Sequence, residues 1–146
     1  MLAIAKMTDG EHPVSLGRVA ERTMLSRRYL DQLIVALKNA QLLRSVGGRS
    51  GGYLLALNPE KIKIRQIIEA AIGPINIVDC LERPDSCMGA EVCECHLIYM
   101  LLNRRIVEML DEFSLADMAD KNWVKQMKDN FCPTDFFSIE NKDLSG

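Results

Sequence analysis

The sequence predicts a mainly α-helical protein with one small β-hairpin, organised as a winged helix-turn-helix domain followed by a long dimerisation helix. Two short amphipathic helical patterns lie about three residues apart, a glycine-rich hairpin pattern follows them, and a long apolar stripe recurs later at helical spacing. The predicted boundaries are 1–73 for the winged domain, 74–96 for a cysteine-rich loop, 97–118 for the dimerisation helix and 119–146 for a C-terminal extension. A hydrophobic content of 48% with only 5% aromatic residues is typical of a helix-rich globular core.

The first three elements are predicted as helices. Residues 2–7 resemble the end of a helix, which the turn-forming residues "TDGEHP" close. Ser15 is a candidate N-cap for the helix "LGRVAERTM", and Ser26 for the longer helix "RRYLDQLIVALKNAQ". The apolar face of the helix after Ser15 is expected to hold Leu16, Val19, Ala20 and Met24. That of the helix after Ser26 is expected to hold Leu30, Leu33, Ile34 and Leu37.

A β-hairpin is predicted directly after the second helix, in "LLRSVGGRSGGYLLAL". Its tip contains Gly47, Gly48, Gly51 and Gly52, and its second strand is expected to start at Tyr53. A basic hairpin in this place is the order of elements in a winged helix-turn-helix, where the wing can lie along DNA. An ordinary hairpin is the alternative.

Two further helices follow the hairpin. The first, within "NPEKIKIRQIIEAAIG", is expected to turn Ile64, Ile67, Ile68 and Ala71 inward. The second, "LIYMLLNRRIVEMLDEF", has an apolar stripe formed by Leu102, Ile106, Met109, Leu110 and Phe113. Because this stripe is too long and too remote from the winged domain to be fully covered by it, we expect a homodimer in which the helix packs against its own copy. Folding back onto its own domain is the alternative, and "KNWVKQMKDNF" fits one more short helix before a polar tail.

The charge is unevenly distributed along the chain. Residues 15–65 carry ten lysines and arginines against three acidic residues, a net charge of +7, whereas residues 66–146 carry seven against fifteen, a net charge of −8. A basic first half favours a local polyanion-binding face, here for double-stranded DNA, although a solvated charged surface is the alternative. The candidate base contacts are Arg27, Arg28, Asp31 and Gln32, and the candidate phosphate contacts are Arg18, Arg22, Arg44 and Arg49.

Asp31 differs from the other candidates because it is acidic. A carboxylate accepts hydrogen bonds only from cytosine N4 and repels phosphate, so Asp31 is a candidate for discrimination against non-target DNA. A carboxylate near a helix N-terminus also interacts favourably with the helix dipole, which is an alternative role.

Several classes of protein are not favoured. No stretch reaches the roughly 18 to 20 uncharged apolar residues of a membrane span, so we expect a cytoplasmic protein without a membrane partner. No glycine-rich nucleotide loop, Ser-His arrangement or paired-carboxylate site is present, so we do not expect an enzyme. In the reducing cytoplasm, five cysteines favour metal binding or thiol chemistry over disulfides.

Four cysteines and a histidine crowd into residues 80–96, namely Cys80, Cys87, Cys93, Cys95 and His96. Thiolates and imidazole suit zinc or an iron–sulfur cluster. The gaps of six and five residues lack the C-x2-C pairs of common zinc sites, which favours the larger iron–sulfur cluster over a single zinc ion. A thiol-based redox switch without any cofactor is a further alternative.

The stretch "VSLGRVAERTMLSRRYLDQLIVALKNAQLLRSVGGRSGGYLLA", with its "YLDQL" and "GGY" motifs and the following cysteine loop, resembles the Rrf family of winged-helix transcription regulators. The resemblance covers about residues 1–118. In the iron–sulfur members, three cysteines and a histidine hold a 2Fe-2S cluster, which by motif implies Cys80, Cys87, Cys93 and His96 here. It therefore implies a regulator that reads an imperfectly palindromic operator under control of its cluster, through redox, nitric oxide or cluster status.

The chain also departs from the family pattern. The first cysteine gap has six residues instead of five, and Cys95 is an additional thiol, so His96 or Cys95 could be the fourth ligand. Some members hold a 4Fe-4S cluster with a carboxylate from the first helix, most of which is expected to lie upstream of Met1. The arginine of the wing tip is displaced to Arg49. A zinc-binding or cofactor-free regulator that responds to a metabolite or a partner protein is the alternative function.

Overall fold

The computed structural model describes residues 1–83, 85 and 93–131. The predicted fold class is confirmed, since the described chain is mainly helical with one two-stranded antiparallel hairpin. The helices are α1 (Leu2–Met7), α2 (Leu16–Thr23), α3 (Arg27–Asn39), α4 (Ile64–Ile72), α5 (Glu94–Glu112), α6 (Leu115–Ala119) and α7 (Lys121–Phe131). Short 3₁₀ turns lie at Pro59–Lys61 and Asp79–Leu81.

Both predicted serine caps form. The Arg18 backbone N–H donates to Ser15 Oγ at 3.4 Å, and the Tyr29 backbone N–H donates to Ser26 Oγ at 3.3 Å. These bonds satisfy backbone donors that have no partner within the first turn of a helix. Met24, which the sequence placed on the apolar face of α2, instead leaves the helix with a φ of 57° and is 89% exposed. The correction follows from α2 ending one residue earlier than the apolar pattern.

The hairpin pairs β1 (Leu43–Val46) with β2 (Gly52–Leu55), so the second strand begins one residue before the predicted Tyr53. Val14 extends this sheet through two backbone hydrogen bonds with Tyr53, at 3.0 and 2.9 Å. A side chain at Gly52 would place its Cβ 2.5 Å from the Val14 carbonyl oxygen. The close approach of the two backbones therefore requires glycine at this position.

The core of the winged domain draws on distant parts of the chain. Its least exposed side chains are Ile4 in α1, Val14 before α2, Ile62 before α4 and Leu115 in α6. The remaining buried members are Leu16, Val19, Leu30, Ile34, Leu37, Leu42 and Leu43. The four residues of α4 that were predicted to face inward are all half-buried. Among them, Ile67 packs against this core, together with Ala70.

The long helix is shorter at its C-terminal end than the predicted range 97–118. Phe113 is extended, and Ser114 starts α6 through a capping box in which its hydroxyl and the Asp117 carboxylate bond to each other's backbone N–H groups. This turn sends Leu115 back into the core of the winged domain. The predicted dimerisation range thus contains most of α5 and most of α6, two helices with different surroundings. α7 agrees with the predicted short helix, and the predicted polar tail lies outside the described residues.

None of the helices in the described ranges is both long and apolar enough to span a bilayer.

Candidate functional site

Four polar side chains share the exposed face of the first two turns of α3. They are Arg27, Arg28, Asp31 and Gln32. The buried residues of this helix lie on its opposite face and pack against the core. They are Leu30, Ile34 and Leu37. The base-contact candidates are therefore exposed to solvent on a helix whose other face is packed against the core.

The basic side chains that were predicted to contact phosphates are exposed as well. Arg18 and Arg22 lie one turn apart on α2, Arg44 lies on β1, and Arg49 lies in the wing between the strands. None of the eight DNA-contact candidates forms a salt bridge with any residue that the structure describes. The positive charges of the six arginines among them are thus not neutralised by ion pairs with those residues, as a polyanion-binding surface requires.

The link between α2 and α3 adds side chains that the sequence reasoning missed. Met24 is almost fully exposed, and Leu25 is 41% exposed beside it. Tyr29, one turn into α3, is 49% exposed.

The second site brings Cys80 and His96 together. Cys80 lies half-buried in the 3₁₀ turn Asp79–Leu81, and its Sγ is 3.6 Å from Nδ1 of His96 in the first turn of α5. The two residues are sixteen positions apart in the chain. Their thiol and imidazole groups are donors that both iron–sulfur clusters and zinc accept.

The other predicted ligands are placed differently. Cys93 is the N-cap residue of α5, and its carbonyl oxygen accepts from the His96 backbone N–H at 3.0 Å. Cys93 and Cys95 are both exposed. Cys87 lies outside the described residues. Across 1–83, 85 and 93–131, no group of three or more candidate ligands lies close enough to hold a metal ion.

Asn103, another residue that the sequence reasoning missed, connects α5 to the segment before Cys80. Its Oδ1 accepts from the Ile77 backbone N–H at 3.1 Å, and its Nδ2 donates to the Ile75 carbonyl oxygen at 3.0 Å. Asn103 follows His96 by seven residues, or about two helical turns, so both side chains lie on the same side of α5. An asparagine inside an apolar helical pattern was the available signal.

The opposite end of α5 is fastened to α4. The Arg65 guanidinium donates to Asp111 at 2.9 Å and to Glu69 at 3.0 Å, and these two carboxylates raise the pKa of Arg65. Lys63 Nζ also donates to the Glu112 carbonyl oxygen at 3.4 Å. The winged domain and the C-terminal end of α5 are thus joined by several polar contacts.

A family called Rrf2, described as "Iron-dependent Transcriptional regulator", matches residues 1–121 of this chain. Among its relatives, the HTH-type transcriptional regulator IscR of Aliivibrio salmonicida is 35% identical over 119 residues, which cover 82% of this chain and 70% of that protein.

Two solved structures are similar in both sequence and fold. CymR, described as the global cysteine regulator of B. subtilis, is 35% identical with a TM-score of 0.65, and the match covers 81% of this chain and 85% of CymR. IscR of T. potens is 31% identical with a TM-score of 0.60, and the match covers 94% of this chain and 87% of that one.

Proposed function

This chain belongs to the Rrf2 family of transcriptional regulators, as its sequence motifs indicated, and we propose that it is a cytoplasmic homodimer whose binding to operator DNA is controlled by an iron–sulfur cluster. The relatives named above are regulators rather than enzymes, which supports a role without catalysis. The observation that carries the cluster assignment is the 3.6 Å approach of Cys80 to His96.

The DNA-binding step is assigned to α3 and the wing. A helix whose N-terminal turns present two guanidiniums, a carboxamide and a carboxylate can read base edges in the major groove. Arginine can bridge O6 and N7 of guanine, and glutamine can bridge N6 and N7 of adenine. Arg18 and Arg22 from α2, with Arg44 and Arg49 from the hairpin, are proposed to contact phosphates and hold α3 in register.

Dimerisation is assigned to α5. This helix of 19 residues has no buried residue, and seven large apolar side chains along it are at least 39% exposed. An exposed apolar surface of this extent is typical of a protein–protein interface. In a symmetric dimer the two α3 helices would read half-sites roughly 34 to 36 Å apart, which corresponds to an imperfect palindrome.

The cluster is assigned to Cys80, Cys87 and Cys93, with His96 as the fourth ligand. His96 is favoured over Cys95 because its ring nitrogen Nδ1 lies 3.6 Å from the Cys80 Sγ. When bound, an iron–sulfur cluster supplies a centre that is sensitive to redox potential and to nitric oxide. The thiolates need a cationic centre to neutralise their charges, so binding would order the segment that joins the winged domain to α5.

A second candidate is a regulator without an iron–sulfur cluster, holding zinc or no cofactor and responding to a metabolite or partner protein. The similarity to CymR, described as a cysteine regulator, favours it. In this case Cys80 and His96 would be two of the ligands of a zinc ion, or would contact each other without any metal.

Anaerobic purification and reconstitution separate the two candidates. We expect a brown protein that contains iron and acid-labile sulfide, with the cluster lost in Cys80→Ala, Cys87→Ala, Cys93→Ala and His96→Ala. Cys132→Ala is the matched control because it lies outside the proposed ligand set. A colourless protein with zinc or no metal would support the second candidate, and loss of the cluster in Cys95→Ala but not in His96→Ala would reassign the fourth ligand.

A further inference from the structure

The segment between α4 and the 3₁₀ turn that contains Cys80 is tied to α5 by one side chain. Asn103 accepts a hydrogen bond from the backbone of Ile77 and donates one to the backbone of Ile75. The carboxamide thus satisfies both a donor and an acceptor of a non-helical stretch, whose backbone polar groups otherwise lack the partners that a helix or sheet provides.

The 3₁₀ turn of this segment packs against α5, but few other backbone hydrogen bonds fix the segment. Between residues 74 and 83, the other backbone hydrogen bonds in the described chain run within the 3₁₀ turn, from Leu81 to Val78 and from Glu82 and Arg83 to Asp79. Gly73, with a φ of 89°, ends α4 just before it. Asn103 therefore provides the only described hydrogen bonds that connect this backbone to another helix.

The position of Asn103 on α5 determines where Cys80 arrives. Asn103 and His96 are separated by about two helical turns on one side of the helix, a distance of roughly 10 Å along its axis. Cys80 follows Ile77 by three residues, and three residues can span up to about 10 Å. Once Ile77 is bound at Asn103, the chain reaches His96, where Cys80 Sγ lies 3.6 Å from Nδ1.

We propose that Asn103 is a positioning residue that holds Cys80 against His96 and so preorganises half of the cluster site before the cofactor binds. The cluster part of this inference rests on the proposed function, whereas the placement of Cys80 does not. Metal ligands must be placed within a few tenths of an ångström, and loss of a side chain that orients a ligand typically lowers metal affinity about 10- to 100-fold.

The test compares three variants of the full-length protein. Asn103→Ala removes both hydrogen bonds, while alanine keeps the helix because it has the highest helix propensity. Asn103→Asp retains the acceptor for the Ile77 N–H but loses the donor to Ile75. Asn76→Ala is the matched control, since Asn76 lies in the same segment and has no side-chain hydrogen bond to the described residues.

The first measurement uses chelator-treated protein, in which nuclear Overhauser contacts between the Cys80 methylene and the His96 ring report their proximity by NMR. We expect these contacts in the parent and in Asn76→Ala, weaker contacts in Asn103→Asp and none in Asn103→Ala. Far-UV circular dichroism and the methyl signals of Ile4, Ile62 and Leu115 verify that each variant is folded. Unchanged contacts in a folded Asn103→Ala, or their absence from the parent, would overturn the proposal.

The second measurement is anaerobic reconstitution followed by competition with an iron chelator, monitored by the visible absorption of the cluster. We expect cluster affinity to fall about 10- to 100-fold in Asn103→Ala and to remain at the parent level in Asn76→Ala. If the parent binds no cluster but Asn103→Ala still loses the Cys80–His96 contacts, the cluster assignment fails and the positioning role stands. A reconstituted Asn103→Ala with parental affinity would refute the link between positioning and binding.

Discussion

Arg28 is the side chain on α3 for which the clearest effect on DNA recognition is expected. It is exposed on the second residue of the helix and forms no salt bridge with the described residues. We predict that Arg28→Ala weakens binding to the specific operator by about 1 to 3 kcal/mol while binding to non-specific DNA changes little. Fluorescence anisotropy at fixed salt concentration, on both DNAs, measures the difference.

Arg49 provides the contrast for this prediction, because it lies in the wing and not on α3. Arg49→Ala is expected to weaken binding to both DNAs and to reduce the slope of log affinity against log salt concentration by about one. Equal losses on both DNAs for Arg28→Ala would show that Arg28 contacts phosphate and not a base.

Asp117 makes the stability of α6 depend on pH. Its carboxylate accepts from the Ser114 backbone N–H at 2.8 Å and from the Ser114 hydroxyl at 2.7 Å, and these hydrogen bonds lower its pKa. Because the folded pKa lies below the unfolded value of about 3.9, the stabilisation is fully present above that value and is lost as the pH falls through the folded pKa.

We therefore predict that Asp117→Asn is less stable than the parent at pH 7. The difference should begin to shrink below about pH 4 and should disappear once the pH has fallen through the lowered folded pKa, where the parent carboxylate is protonated too. Urea denaturation at a series of pH values measures it. Asp129→Asn, an exposed position on α7, is the control. A stability difference that stays constant down to pH 2 would contradict this role of Asp117.

The C-terminus of α3 shows how a helix end depends on one backbone conformation. The Gln41 N–H donates to the Lys38 carbonyl and the Leu42 N–H to the Leu37 carbonyl, both at 2.9 Å, while Gln41 has a φ of 56°. This is the Schellman motif, in which glycine is normally preferred at the left-handed position. The buried Leu42 holds Gln41 in this conformation.

We predict that Gln41→Gly raises the free energy of unfolding by about 1 kcal/mol, because glycine adopts the left-handed conformation without the steric cost that other residues incur. Asn39→Gly, at the last helical residue of α3, should lower it by about 0.5 to 1 kcal/mol. Urea unfolding curves measure both, and a destabilised Gln41→Gly would mean that the glutamine side chain has a stabilising contact of its own.

Helix α5 is attached to the rest of the chain at both ends. Near its N-terminus, His96 contacts Cys80, and at its C-terminus Asp111 pairs with Arg65 of α4. A helix of 19 residues spans about 28 Å. Helix α5 therefore connects the contact between Cys80 and His96 to α4, which packs against α3.

At the scale of the molecule, the residues that the structure describes leave apolar side chains of α5 exposed, which leads to a prediction about assembly. Leu102 and Met109 are about half exposed, and the half-buried Ile106 lies between them on the same stripe. We predict that Ile106→Asp converts a dimer into a monomer at micromolar concentration, because a carboxylate in an apolar interface loses its hydration without gaining a partner. Light scattering measures the mass.

Arg105→Asp is the control for this variant, because it places the same carboxylate on the adjacent residue, whose side chain is 86% exposed. It should leave the mass unchanged. A parent protein that is monomeric at micromolar concentration would contradict the assignment of α5 to dimerisation.

The sequence by itself determined the element order, the capping serines and the family. Ser15 and Ser26 act on residues three positions away, and the spacing of Leu30, Ile34 and Leu37 follows from helix geometry, so these features are local and can be predicted. The "YLDQL" and "GGY" motifs are equally local.

The tertiary structure alone decided features that join distant positions. The family resemblance implied that Cys80 and His96 share one site, but not that Asn103 binds the backbone of residues 75 and 77, nor that Leu115 returns to the core that contains Ile4. No local pattern encodes these pairs, because each depends on how the chain turns between its helices, at Gly73 and at Ser114. The hydrogen bonds of Asn103, which join residues far apart in the chain, position Cys80 beside His96.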